Sequence, residues 1–371
     1  MPAASHSNGK AIMAGVKLQN IEKRYGDFTA VRDVSLHIAP GEFVTFLGAS
    51  GSGKTTCLRM IAGFIKPDLG KVLIDEEDVT QVPPHKRNTG MVFQQYALFP
   101  HMTVAQNVAF GLKVRRLPRA EVHKRTQQAL ALVRLEQFAD RYPSQLSGGQ
   151  KQRVALARAV VIGPRVLLLD EPLAALDLKL REELQGEIKR VQQTLGITTV
   201  FVTHDQGEAL SMSDRVVVMR DGSILQVDTP ARLYRHPNCR YVANFVGRTN
   251  LLDGIVQEAG DGHFVVNLSD HPGRLVDVRG AQATSFKRGD KCLVAFRPED
   301  GRLQDADRNC ISARFDKATY MGSEWMVNLT GADQRLISIT LPRSATIPDA
   351  NAEVAISWLP EQAILLPHED A

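Results

Sequence analysis

Residues 48–55 read GASGSGKT. Gly48, Gly51 and Gly53 free the backbone to curl, so that successive N–H groups can wrap a β-phosphate, with the run from Ala49, Ser50 and Ser52 to Thr56 completing the cradle. Lys54 reaches toward β- and γ-phosphates, and Thr55 offers its hydroxyl to Mg²⁺. A flexible Gly/Ser loop with an incidental lysine is the alternative reading. A second run, VLLLDEP at 166–172, is an apolar strand ending in two carboxylates. Burying a carboxylate without a partner costs several kcal/mol, so both belong at the strand's carboxyl end. There Asp170 can bind Mg²⁺, or merely cap the next turn, and Glu171 can polarise an attacking water.

A third run, LSGGQKQR at 146–153, precedes the helical VALARAVV. Ser147, Gly148 and Gly149 leave several N–H groups bare at that helix start, where an anion is favoured. Whether the anion belongs to this chain is open from these residues alone. The phosphate loop and the carboxylate strand together describe a nucleoside-triphosphatase.

These groups need elements that hold them. FVTFLG (43–48) is continuous apolar, the pattern of a strand covered on both faces, and TTCLRMIAG follows the loop as a helix. Similar apolar runs recur at VLLLD, TTVFVTH (198–204) and RVVVM (215–219). Between them lie helical patterns, such as the stretch in which Leu180, Leu184, Ile188, Val191 and Leu195 share one face. Buried strands alternating with helices predict an α/β domain with a mostly parallel sheet. VKLQNI and VSLHI alternate as half-buried strands. Residues 101–160 predict a helical insertion. After 247, short β-type runs separated by Gly, Asp and Pro predict a small all-β barrel or sandwich. The organisation read here is a loose tail over 1–15, an α/β domain over 16–247 and a β-rich domain over 248–371.

LSGGQ followed by a helix, just upstream of the second carboxylate motif, resembles the signature of ATP-binding cassette ATPases, and the resemblance spans residues 16 to about 240. It implies ATP and Mg²⁺ as ligands and a homodimer of facing cassettes. In that arrangement Ser147, Gly148, Gly149 and Gln150 close over the partner's γ-phosphate. Position by position, Tyr25 matches the aromatic that stacks on adenine. Gln94, with Gln95 beside it as the alternative, matches the loop glutamine that touches Mg²⁺ and water and senses the membrane subunit. Asp177 in LAALD matches the loop crossing the dimer interface, and His204 matches the switch histidine at the γ-phosphate. Metal ligation thus falls to Thr55, Gln94 and Asp170, and catalysis to Lys54, Glu171 and His204. One departure is EPLAALD, where many relatives place a serine; Ala174 gives up a hydroxyl without touching the chemistry.

RPED (297–300), YMGSE (320–324) and ISWLPEQAILLP resemble the small OB-like β domain that follows the cassette in bacterial importer ATPases. DLKLREELQGEIKRVQQTLGIT and MSDRVVVMRDG resemble most closely the spermidine/putrescine branch; phosphonate, ferric iron, sugar and sulfate importers are the alternatives. The resemblance implies two membrane permease subunits and, through them, a solute-binding protein as partners. It implies a peripheral place on the cytoplasmic face of the inner membrane. A ribosome-associated cassette ATPase would carry two cassettes and a charged helical linker, and a metabolic kinase would lack LSGGQ.

Composition limits the field further. The formal charge is +4 over 371 residues with no long basic run, which disfavours nucleic acid as a partner. No apolar run approaches the roughly 18 residues of a membrane span. Cys57, Cys239, Cys292 and Cys310 are far apart, so neither a zinc site nor a disulfide framework is expected.

Overall fold

The computed structural model describes residues 14–260, 262–271, 273–280, 286–304, 309–332 and 334–368. The expectation for the first residues of the chain, up to 13, lies outside them. The described chain divides into two compact units between Ala231 and Arg232.

The first unit opens with β1 (Val16–Tyr25), β2 (Phe28–Ile38), β3 (Phe43–Leu47), α1 (Lys54–Ala62), β4 (Leu69–Ile74), β5 (Glu77–Asp78) and β6 (Thr89–Val92). Three helices follow with no strand between them: α2 (Val104–Val114), α3 (Arg119–Leu132) and α4 (Gly148–Val160). It closes with β7 (Val166–Asp170), α5 (Leu178–Leu195), β8 (Thr198–Thr203), α6 (Gln206–Met212), β9 (Arg215–Arg220) and β10 (Ser223–Asp228). A six-stranded sheet runs β10-β9-β3-β8-β7-β6, parallel except for the edge strand β10. A separate antiparallel sheet runs β2-β1-β4-β5.

Every residue of β3, β7 and β8 is buried. Successive side chains of a strand point to opposite faces, so such a strand must serve two cores. Val166 and Leu168 of β7 join a cluster with β1, β2, β4 and α1. Leu167 and Leu169 join another with α2 to α5. Each large side chain so buried contributes about 1.5–3 kcal/mol relative to exposure. The helical cluster is also tied by ions: Glu187 of α5, 7% exposed, pairs with Arg153 of α4 at 2.7 Å and accepts from Arg190 at 3.4 Å.

The second unit takes in the end of α7 (Pro230–Arg235), α8 (Arg240–Phe245) and, among the described residues, ten strands: β11 (Asn250–Gly260), β12 (His263–Leu268), β13 (Leu275–Arg279), β14 (Lys291–Phe296), β15 (Arg302–Leu303), β16 (Cys310–Tyr320), β17 (Glu324–Thr330), β18 (Leu336–Pro342), β19 (Glu353–Ser357) and β20 (Ile364–Pro367). They form two five-stranded antiparallel sheets, β13-β12-β11-β14-β20 and β15-β19-β16-β17-β18. One apolar core takes side chains from both, with Phe296 stacked on Trp358 at 4.4 Å.

The compositional change near 247 and the division by contacts at 231 differ for a physical reason. The guanidinium of Arg297 is buried beneath α7 and α8. It donates to the carbonyls of Tyr234 (2.6 Å), Ala243 (2.9 Å) and Arg248 (3.0 Å) and to Thr249 Oγ1, and lies 4.0 Å over the Tyr234 ring. Ala243 of α8 packs with Leu293, Ala295 and Leu366. The helices before residue 247 are therefore clamped to the β unit by the first residue of RPED. The thiols of Cys57 and Cys292 are buried, which pushes each pKa up to about 12.

Candidate functional site

Parallel pairing decides what converges. Leu47 of β3 pairs with Thr203 of β8, Val202 of β8 with Asp170 of β7, and Leu169 of β7 with Val92 of β6. The loops leaving these strands carry Lys54, His204, Glu171 and Gln94, so all four emerge at one carboxyl edge of the sheet, where open α/β sheets place their ligands.

The loop after β3 is held from behind. Gly53 has φ 100°, and a Cβ there would lie 2.5 Å from the Ala30 carbonyl oxygen of β2, so only glycine fits. Gly51 differs: its φ of 83° is left-handed too, but a Cβ there would meet nothing within 4 Å. Backbone conformation alone, not crowding, favours glycine at the crest of the loop. Gly222, in the turn between β9 and β10, donates its N–H to the Ser52 carbonyl at 3.2 Å and accepts from Arg32 N–H at 2.9 Å. Lys54 is 4% exposed; its ammonium donates to the carbonyls of Gly48 and Ala49, each at 2.8 Å. Burial lowers its pKa, against the opposing pull of the Glu171 and Asp170 carboxylates. The lysine is thus folded onto its own loop, facing the two acids.

Asp170, buried at the end of β7, accepts from Thr55 Oγ1 at 3.2 Å and has Arg59 at 3.9 Å. Burial raises its pKa, more than Thr55, Arg59 and Lys54 lower it. Glu171 sits at φ +44°, a left-handed conformation that costs a non-glycine residue about 1–3 kcal/mol. Its N–H donates to the Val202 carbonyl at 3.1 Å, which fixes it in place. One of its carboxylate oxygens lies 3.3 Å from His204 Nδ1. A carboxylate and an imidazole in contact, beside a lysine and a hydroxyl–carboxylate pair, can orient a water and neutralise an anionic group next to it.

The remaining positions divide. Gln94 is exposed in the turn after β6. Tyr25 ends β1 with its ring half exposed and Lys23 Nζ 5.5 Å from the ring centroid; Phe28 opposes it across the hairpin. Ser147 caps α4: its hydroxyl accepts from Gln150 N–H at 3.3 Å while Gln150 Oε1 accepts from Ser147 N–H at 2.9 Å. The N–H groups of Gly148 and Gly149 stay outside that exchange. A Cβ on Gly149 would meet Leu180 Cδ1 at 2.7 Å, so this glycine admits α5. Asp177 caps α5 by accepting from Leu180 N–H at 3.1 Å. The signature glycines therefore abut the start of α5, and Lys54, Asp170, Glu171 and His204 form a separate cluster.

Sequence reasoning passed over Gly222, Arg59 and Arg181. Gly222 and Arg59 meet partners far along the chain, and Arg181 reaches Asp205 across 24 positions, so nothing local marks them.

Residues 31–174 match the family model described as ABC transporter, and residues 294–366 match the one described as TOBE domain. The chain is 46% identical to the spermidine/putrescine import ATP-binding protein PotA of Rubrobacter xylanophilus, over 95% of this chain and 93% of that one. It is 44% identical to the protein of the same description from Chromobacterium violaceum, over 93% and 97%. Among solved structures it resembles a dimeric ATP-binding cassette bound to ADP and phosphate, with TM-score 0.52 and 37% identity, covering 58% of this chain and 98% of that one. It also resembles cbiO1 from Clostridium perfringens, part of an ABC transporter complex, with TM-score 0.56 and 32% identity, covering 60% and 90%.

Proposed function

The chain belongs to the ABC transporter family, and on that premise we propose that it is the ATP-hydrolysing subunit of an importer whose cargo is a polyamine. One observation carries the hydrolytic reading: Glu171 meets His204 at 3.3 Å beside the Thr55–Asp170 pair, all at one edge of the sheet. The cargo reading rests on relatives named for spermidine and putrescine import, which align through the β-rich tail as well as the cassette.

Thr55 Oγ1 and Asp170 Oδ1 form an all-oxygen donor pair of the kind Mg²⁺ favours when substrate phosphates and waters supply its other ligands. Among the described residues no group of three or more His, Cys, Asp or Glu side chains could hold a metal unaided, which fits such a shared site. Bound there with Gln94 nearby, the ion would neutralise charge on the phosphate oxygens. Lys54 exchanges its bonds to Gly48 and Ala49 for β- and γ-phosphate oxygens. Glu171 polarises the attacking water, and His204 holds that water and the γ-phosphate in register. General-base help of this kind is worth about 10²–10⁴-fold in rate. Tyr25 offers adenine a ring face. Gly148 and Gly149 of a second copy bring their N–H groups to the γ-phosphate, at a helix start that Ser147 and Gln150 hold by their reciprocal cap, and Asp177 lies at the contact between copies.

Permease subunits are proposed to dock by the loop after Gln94. A cavity of about 560 Å³ there, lined by Phe64, Phe93, Phe99 and Phe110, supports an apolar partner. Among the described residues no helix is long and apolar enough to cross a membrane, and a peripheral place on the cytoplasmic face follows from the family reading.

The test is reconstitution of the chain with the permease and solute-binding proteins of its own locus. Spermidine or putrescine should stimulate ATP hydrolysis and be taken up, and Glu171→Gln should abolish both. Stimulation by a phosphonate, sulfate, sugar or ferric iron instead of a polyamine would overturn the cargo reading. Wild-type hydrolysis by Glu171→Gln would overturn the site.

A further inference from the structure

We propose that Arg181 is a positioning residue which locks the loop ahead of α5 to the turn carrying His204, so that hydrolysis depends on where the Asp177 loop sits. The inference rests on the assignment of Glu171 and His204 made above.

Arg181 stands in the first turn of α5, where the helix dipole disfavours a cation. Three contacts offset that. Its Nη1 donates to Asp205 Oδ2 at 2.9 Å, its Nη2 donates to the Leu176 carbonyl at 3.1 Å, and its Nε lies 3.8 Å from Glu208 Oε1. Leu176 immediately precedes Asp177, and Asp205 immediately follows His204. One planar fork therefore grips the two loops at once, a geometry lysine cannot reproduce.

The far side of the grip is rigid. Asp205 Oδ1 accepts from Glu208 N–H at 3.0 Å, and Asp205 N–H donates to Thr203 Oγ1 at 3.0 Å. Thr203 Oγ1 in turn donates to Glu208 Oε2, on a side chain only 3% exposed. His204 itself has a side chain 55% exposed, so packing does not fix it. Its place against Glu171 is set by the backbone on either side, and Arg181 holds one of those sides. A displacement of the Leu176–Asp177 loop is thereby passed through Arg181 and Asp205 to the His204–Glu171 contact.

The experiment compares Arg181→Lys and Asp205→Asn with wild type in the full chain, reading nucleotide Kd, KM, kcat and Tm. Both variants should bind ATP within about twofold of wild type while kcat falls about tenfold or more, as a misplaced catalytic group requires. In a His204→Ala background, Arg181→Lys should cost little more, because both act on one contact. Equal losses in Kd and kcat, or full additivity with His204→Ala, would make Arg181 merely structural and overturn the proposal. Asp205→Asn keeps the test alive where Arg181→Lys melts early. Glu171→Gln and His204→Ala separate the two levels. If they turn over far more slowly than wild type while Arg181→Lys and Asp205→Asn turn over normally, only the coupling falls; if they turn over normally, the site reading itself fails.

Discussion

Gly149→Ala separates the packing role of this glycine against Leu180 from the trans-acting role proposed for it. An added Cβ would stand 2.7 Å and 3.0 Å from the two Cδ atoms of Leu180, so the α5 side chain must give way. Forcing a methyl into a packed contact costs about 1–3 kcal/mol. Replacing glycine by alanine inside a helix returns roughly 0.5–1 kcal/mol. The net is a destabilisation of about 1 kcal/mol, or roughly 2–4 °C in Tm for a unit of this size. Leu180→Ala removes both clashing carbons. In that background Gly149→Ala should become neutral or stabilising, so its effect changes sign. Hydrolysis should not follow: if Gly149 also brings its backbone against the γ-phosphate of the facing copy, the double variant melts with Leu180→Ala yet turns over more slowly than it. Calorimetry and steady-state ATPase assays on the single and double variants read the two effects apart. Turnover as well as Tm equal to those of Leu180→Ala in Gly149→Ala/Leu180→Ala would show that packing is the glycine's only task and would refute the trans-acting role.

Tyr25→Ala should weaken ATP binding by about 1–3 kcal/mol, the worth of a base–aromatic stack, while Tyr25→Trp binds normally; equal loss in both by titration calorimetry would remove the ring from the adenine site. Asp170→Asn should abolish Mg²⁺-dependent turnover yet raise the Tm of the nucleotide-free protein. Because burial holds the folded-state pKa of Asp170 above its unfolded value, its favourable contribution is complete below the unfolded pKa and lost as pH rises through the folded one; at neutral pH the charged group is a cost that asparagine lacks. A lower Tm for Asp170→Asn would contradict this. A chain ending at 231 should bind ATP as the full protein does, whereas one ending at 247 should aggregate, since it keeps α8 without the Arg297 clamp and without the β14 and β20 side chains that pack on Ala243. Size-exclusion chromatography distinguishes the two, and a monodisperse 1–247 chain would refute the clamp.

The cassette's chemistry was legible in the sequence wherever the requirement is local. The phosphate loop needs glycine where the backbone turns left-handed, as at Gly51, or also meets a neighbour, as at Gly53. The buried strands need unbroken apolar runs, and a carboxylate pair can end such a strand only at its open edge. Each of these is satisfied within about ten residues of chain, so residue types and spacing express it directly. The cap residues Ser147 and Asp177 belong to the same class: the sequence marks them as candidates for a role at a facing copy, and the structure shows the helix ends they secure. What the tertiary structure alone decided are contacts between residues that no local pattern links. Thr55 meets Asp170 across 115 positions, Gly149 makes room for Leu180, Arg181 reaches Asp205 across 24 positions, and Arg297 ties α7 and α8 to the β unit. An arginine reads the same in sequence whether its guanidinium lies in water or grips two loops. Its partners are fixed only when the sheets set the register of their strands, because that register determines which strand ends stand side by side.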